Sequence, residues 1–152
     1  ILASGSSAGA IAVVQADWFI KNRMAGTELL PEGFAYKGII SFAGGIYSMT
    51  GGPGYRYGAP APTLFIHGNK DRTVPFCTTR LLGTGRFTSR NLARRFRRQG
   101  ADFVFVEFEG KDHNYGAGTA MTAGEPFISW FLDVFLPDAE RGQVEIVVSE
   151  DF

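Results

Sequence analysis

The sequence predicts an α/β fold: a three-layer α/β/α sandwich built around a mostly parallel sheet. Three observations carry that expectation. Residues 1–3, 38–43, 63–67 and 102–108 are near-continuous apolar runs of strand length, the pattern of strands covered on both faces. Segments with helical spacing alternate with them, in the order strand–helix–strand–loop–strand–helix–strand–helix. Glycines or polar turn residues stand where each run ends: Gly5, Gly44-Gly45, Gly68-Asn69 and Glu109-Gly110.

The elements follow in order. The chain opens on a strand and turns sharply through Gly5-Ser6-Ser7-Ala8-Gly9 into a helix from Ala8 to about Arg23. This is a G-x-S-x-G pattern centred on Ser7. Such a turn needs small residues where strand and helix backbones approach, and Ala8, Gly9 and Ala10 are small. The helix would point its free N–H groups and positive dipole end at the serine. Ala10, Ile11, Val13, Val14, Trp18, Phe19 and Ile20 cover more than one helical face, which predicts a largely buried helix with Asp17, Lys21 and Arg23 on its wetter side. Residues 24–33 form a connection broken by Pro31 and Gly33, before the strand at 38–43.

Residues 46–62 are rich in Gly, Pro and Tyr and read as a surface loop. That loop is either a solvated connector or, because it leaves a strand end beside the serine turn, a wall of a substrate pocket. Residues 76–87 read as loop with a short helix. Residues 89–99 read as an amphipathic helix capped by Ser89 and stopped by Gly100. Leu92, Ala93 and Phe96 form its apolar stripe, and Arg90, Arg94, Arg95, Arg97 and Arg98 a solvated face. Gly124-Glu125-Pro126 opens a last helix, with Phe127, Trp130, Phe131, Val134 and Phe135 at core spacing and Pro137 at its end. The tail, Val144 to Val148, reads as an edge strand or as the start of a further segment.

Composition narrows the function classes. The 152 residues are 45% hydrophobic, enough for one domain with a full core. Fifteen basic and fifteen acidic residues cancel, so no global charge points to nucleic acid or a membrane surface. No apolar run is long enough to span a bilayer. Cys77 is the only cysteine, so no internal disulfide forms and the compartment stays unread; Cys77 is expected as a packing residue. No set of His, Cys or carboxylates has metal-ligand spacing, and no cofactor is called for. Ile1 stands in the middle of a strand with no initiator Met, so sequence upstream of it is expected, with any targeting segment.

The reactive residues lie where a parallel sheet binds ligands, at the carboxyl ends of strands. Ser7 follows the first strand, Asp71 lies four residues past His67, and His113 lies five past Phe108. A serine hydroxyl needs an imidazole to take its proton, and the imidazole needs a carboxylate to fix its tautomer and steady its cation. His67, at a strand end before Gly68, is expected in a hydrogen-bonded structural role. Asp112 adjoins His113 and points away from it.

From residue 1 to about 136 the chain resembles the C-terminal half of an α/β-hydrolase, of the esterase or prolyl-oligopeptidase-like branch. The matching stretches are Gly5-Ser6-Ser7-Ala8-Gly9, then His67-Gly68-Asn69-Lys70-Asp71-Arg72-Thr73-Val74-Pro75, then Gly110-Lys111-Asp112-His113. The resemblance implies Ser7 as nucleophile, Asp71 as acid and His113 as base, with the Ala8 backbone N–H as one oxyanion donor. It implies hydrolysis of a small-molecule or glycan carboxylic ester through an acyl-enzyme. The alternatives are a peptidase of the prolyl-oligopeptidase type and a non-catalytic hydrolase-like module. Residues 137–152 are left as a tail. The family's first half, with its second oxyanion donor and a strand beside residues 1–3, is absent here. The expectation is therefore that these residues alone are inactive, and that a missing N-terminal segment or a second copy covers an exposed apolar first strand.

Overall fold

The computed structural model describes residues 1–49, 52–77, 79–81 and 84–149. Five strands form one all-parallel sheet: β1 (Leu2–Ser6), β2 (Gly38–Phe42), β4 (Thr63–Gly68), β7 (Phe103–Phe108) and β8 (Gln143–Val148), in the order β1-β2-β4-β7-β8. Every residue of β2 and β4 is buried, as their unbroken apolar runs require.

The two faces of the sheet are filled by alternate residues of the same strands. Ile39, Phe65, Phe103 and Phe105 face α1 (Ala8–Asn22) and α2 (Ser89–Arg98), packing on Val14, Leu92, Ala93 and Phe96. Ile40, Phe42, Leu64, Ile66, Val104, Val106 and Phe108 face the C-terminal helical run and meet Ala120, Phe131 and Phe135. That run consists of α3 (Ala120–Ala123) and α4 (Glu125–Trp130), with wider π-type turns at Tyr115–Thr119 and Phe131–Phe135. The fold is thus a three-layer α/β/α sandwich. Among the described residues no helix is long and apolar enough to cross a membrane.

Several local expectations are corrected. Residues 45–48 and 76–88 are not simple loop. β3 (Gly45–Ser48), β5 (Thr79–Leu81) and β6 (Thr84–Thr88) make a second, antiparallel sheet in the order β3-β6-β5. Among the described residues between Phe76 and Phe87 none is helical. Helix α1 buries only Ala10, Val14 and Asp17, so Asp17 lies on the sheet side and not the wet side. Burial is preserved because Asp17 Oδ2 accepts the Ala61 N–H at 3.1 Å, fastening the segment that leads into β4. Cys77 is exposed and packs no core. In the last helical run Phe131 and Phe135 are buried, whereas Trp130 and Val134, also expected in the core, are 36% and 53% exposed and belong to the outer face. Thr88, not Ser89, is the N-cap of α2.

The tail contributes β8, paired in parallel with β7 over Phe103–Phe108. Its Val144, Ile146 and Val148 pack on the core, and Glu145 on the opposite face takes Arg90 (3.4 Å) and Arg97 as ion-pair partners. At the other edge β1 pairs, among the described residues, with β2 alone, and Ile1 and Leu2 are 72% and 51% exposed.

Candidate active site

The serine turn is built by a steric demand. Ser7 adopts φ 51°, ψ −116°, a backbone conformation costly for a residue with a Cβ. Its N–H donates to Phe42 O at 2.8 Å and its C=O accepts the Ile11 N–H at 3.0 Å, so β2 and the first turn of α1 hold the strained residue from both sides. Gly5 is the residue that makes the turn possible: a Cβ there would stand 2.3–2.6 Å from backbone atoms of Gly9 and Ala10. Gly9, by contrast, has open space where its Cβ would be. The smallness is needed on the strand side, at Gly5, and at buried Ala10, whose methyl abuts Gly44.

The strand ends carry the other two groups. After β4 the chain turns through Asn69 and Lys70 to Asp71, whose carboxylate is fully engaged. Oδ1 accepts the N–H groups of Thr73 and Val74, both at 2.9 Å, and Oδ2 accepts from two imidazoles. After β7 a turn tied by the Tyr115 N–H to Asp112 Oδ1 (3.1 Å) presents His113. The two loops are stitched together. Lys70 N–H donates to Lys111 O at 2.9 Å, and Asn69 bridges Glu107 and the Gly110 N–H. Gly68 permits this closeness, since a Cβ there would lie 2.4 Å from Lys111 O. The Ser6 hydroxyl bonds the Ala117 carbonyl, joining the serine turn to the loop that follows His113.

The three expected residues come together. Ser7 Oγ lies 2.9 Å from His113 Nε2, and His113 Nδ1 lies 2.7 Å from Asp71 Oδ2. A carboxylate accepts only, so Nδ1 carries the proton and Nε2 is left to accept from the Ser7 hydroxyl. Asp71 is 5% exposed, and His113 and Ser7 are half-buried. Burial would raise the Asp71 carboxyl, but hydrogen bonds from His67 and His113, the charge interaction with His67 and the Val74 N–H outweigh it. They hold it below the ordinary carboxylate range. Ala8 stands at the N-terminal end of α1, where backbone N–H groups have no partner within the helix, and is exposed.

His67 is fully buried and hydrogen-bonded, and it also touches Asp71, which its place in the sequence did not indicate. Asn69 stood inside a motif with no role of its own, and Ser89 was expected only as a helix cap. Of the tyrosines in residues 46–62, the segment read either as a connector or as a pocket wall, Tyr47 lines a slot with Ile11, Val74 and Arg86 between α1 and the Asp71 loop. Gln15 clamps the Tyr47 backbone through two 2.9 Å bonds, and the Arg86 guanidinium lies over its ring. Tyr57 lies elsewhere: its N–H donates to Lys21 O, thirteen residues along α1 from Ala8, or about 20 Å at 1.5 Å per residue. Tyr55 packs on Phe96 inside the sandwich. Among the described residues no group of three or more His, Cys, Asp or Glu is placed to hold a metal ion. Comparison of the chain with protein-family models, with curated proteins and with solved structures returned no match.

Proposed function

We propose that this chain carries the nucleophile, base and acid of an α/β-hydrolase and cleaves a carboxylic ester through an acyl-enzyme on Ser7. The carrying observation is the continuous hydrogen-bonded series Ser7 Oγ–His113 Nε2 (2.9 Å) and His113 Nδ1–Asp71 Oδ2 (2.7 Å). In the first step Ser7 Oγ attacks the ester carbonyl carbon while His113 Nε2 takes its proton. The tetrahedral oxyanion receives the Ala8 N–H at the positive end of α1. Collapse breaks the bond to the alcohol, which leaves with the proton from His113. Water then repeats the sequence on the acyl-enzyme and frees the acid and Ser7.

The strain at Ser7 supports an enzyme over a non-catalytic module, because the combination φ 51°, ψ −116°, outside the ordinary left-handed region that Arg23 occupies, is costly to keep without a use. A second oxyanion donor and a strand pairing with the free edge of β1 come, in this reading, from a further segment of the polypeptide or a second copy. Small-molecule and glycan esters are the proposed substrates, and the peptidase alternative uses the same chemistry on an amide. A fluorophosphonate should label the full-length protein and fail to label Ser7→Ala; labelling retained in that variant would exclude Ser7. A panel of acetyl, feruloyl and aminoacyl-amide substrates separates esterase from peptidase.

A further inference from the structure

The acid of this site is held by a second histidine from inside the sandwich. His67, in β4, is fully buried, and its Nε2 lies 3.1 Å from Asp71 Oδ2 and 3.0 Å from Val74 O. Both are acceptors, so Nε2 carries a proton, directed at the same carboxylate oxygen that receives His113 Nδ1–H. On its other side His67 Nδ1 lies 2.9 Å from the hydroxyl of Ser89, itself fully buried and 3.2 Å from Gly44 O. The Phe76 ring stands edge-on to the imidazole at 5.7 Å and closes the pocket. A chain of hydrogen bonds thus runs Ser7–His113–Asp71–His67–Ser89–Gly44, and only its first members are exposed to a substrate.

We propose that His67 is a positioning residue of the site: it keeps Asp71 Oδ2 ionised and aimed at His113, and Ser89 keeps the His67 ring in register. The inference rests on the acyl-transfer reading for its catalytic consequence, and on geometry alone for its effect on Asp71. A carboxylate buried in the sheet end would lose its charge without donors, and two of its four donors are the imidazoles on Oδ2. Without the Nε2–H of His67, Oδ2 is free to swing with His113 as its one side-chain tether.

The other charged groups around His67 are already committed. Glu107 stands opposite it in the register of β7, with its carboxylate on Asn69 (2.9 Å) and near Arg90. Helix α2 adds neutral Ser89 and then Arg90, which is paired with Glu145. Lys70 and Arg72, on the Asp71 loop, are exposed. Asp71 is thus the acidic group that the His67 proton meets.

The test compares His67→Phe, which keeps a ring and removes the donor, with His67→Gln, which keeps a neutral N–H donor. Two readouts are taken on the full-length protein: the carbon-13 titration of the Asp71 carboxyl, and the pH profile of kcat and KM. H67F should move the Asp71 titration to higher pH and lower kcat roughly 10- to 100-fold, the range for removing an outer partner of a ligating histidine, with KM little changed. H67Q should recover most of kcat and show a smaller upward move. An Asp71 titration in H67F that coincides with the wild type, or an H67Q protein whose kcat falls more than tenfold although its Asp71 titration stays in place, would overturn the proposal. The carboxyl titration needs no turnover, so it tells failure of this inference apart from failure of the hydrolase reading, which the fluorophosphonate reports.

Discussion

Replacing Asp17 by Asn should stabilise the protein at neutral and alkaline pH and change little near pH 4. Burial pushes the Asp17 carboxyl up from 3.8 to about 6, against the lowering effects of the Ala61 N–H and of Lys21. The nearly inaccessible side chain has one oxygen on Ala61, while Oδ1 has no hydrogen-bond donor. An acid with a raised value in the folded state binds its proton more tightly there than in the unfolded chain. Its stabilising contribution is therefore complete below 3.8 and is lost as pH rises through about 6. The displacement from 3.8 to about 6 corresponds to about 3 kcal/mol as an upper value. The Asn carboxamide keeps an acceptor for Ala61 and removes the buried charge. Urea unfolding of wild type and D17N at several pH values should give a stability difference that grows from near zero at low pH to about 1–3 kcal/mol at pH 8. Asp71 contributes the opposite trend, present above 3.8 and lost as pH falls through its lowered value, and it cancels in the difference. A stability difference independent of pH, or a D17N protein less stable at pH 8, would show that burying the Asp17 charge does not destabilise the fold.

Gly5→Ala should cost about 3 kcal/mol or more, the upper end for overpacking, because its Cβ would meet only backbone atoms of Gly9 and Ala10. Gly9→Ala, where the Cβ meets nothing within 4 Å, should be neutral or stabilising by about 0.5–1 kcal/mol; equal losses in thermal unfolding would contradict the elbow geometry. At the free edge of β1, where Leu2 is 51% exposed, these 152 residues should self-associate in sedimentation experiments and Leu2→Lys should reduce it. A monodisperse wild-type monomer would show that the edge needs no cover.

The parallel core was legible because burial on both faces removes alternation: β2 and β4 are unbroken apolar runs and could be read directly. Ser7, Asp71 and His113 were legible for a related reason, since each stands just past a strand end and the topology brings those ends to one rim. The small sheet was not. β3 and β6 are short, glycine-containing and polar at several positions, and they pair with each other across 37 to 43 residues of sequence, so pairing and not pattern makes them strands. Asp17 misled because a charge on a helix reads as a wet face, and the Ala61 N–H that makes its burial tolerable lies 44 residues away. Gly9 misled because the motif marks both glycines alike, whereas the close approach falls on Gly5. The contact of His67 with Asp71 depends on the turn after β4 folding back over the strand end, which spacing alone does not specify.

The residue to which a mechanism-based phosphonate attaches decides whether Ser7 is the nucleophile. Digestion of the labelled full-length protein with trypsin, followed by mass spectrometry, should place the adduct within residues 1–21 and, by fragmentation, on Ser7 and not on Ser4 or Ser6. An adduct on another residue, or an active hydrolase in which Ser7 stays unmodified, would contradict it.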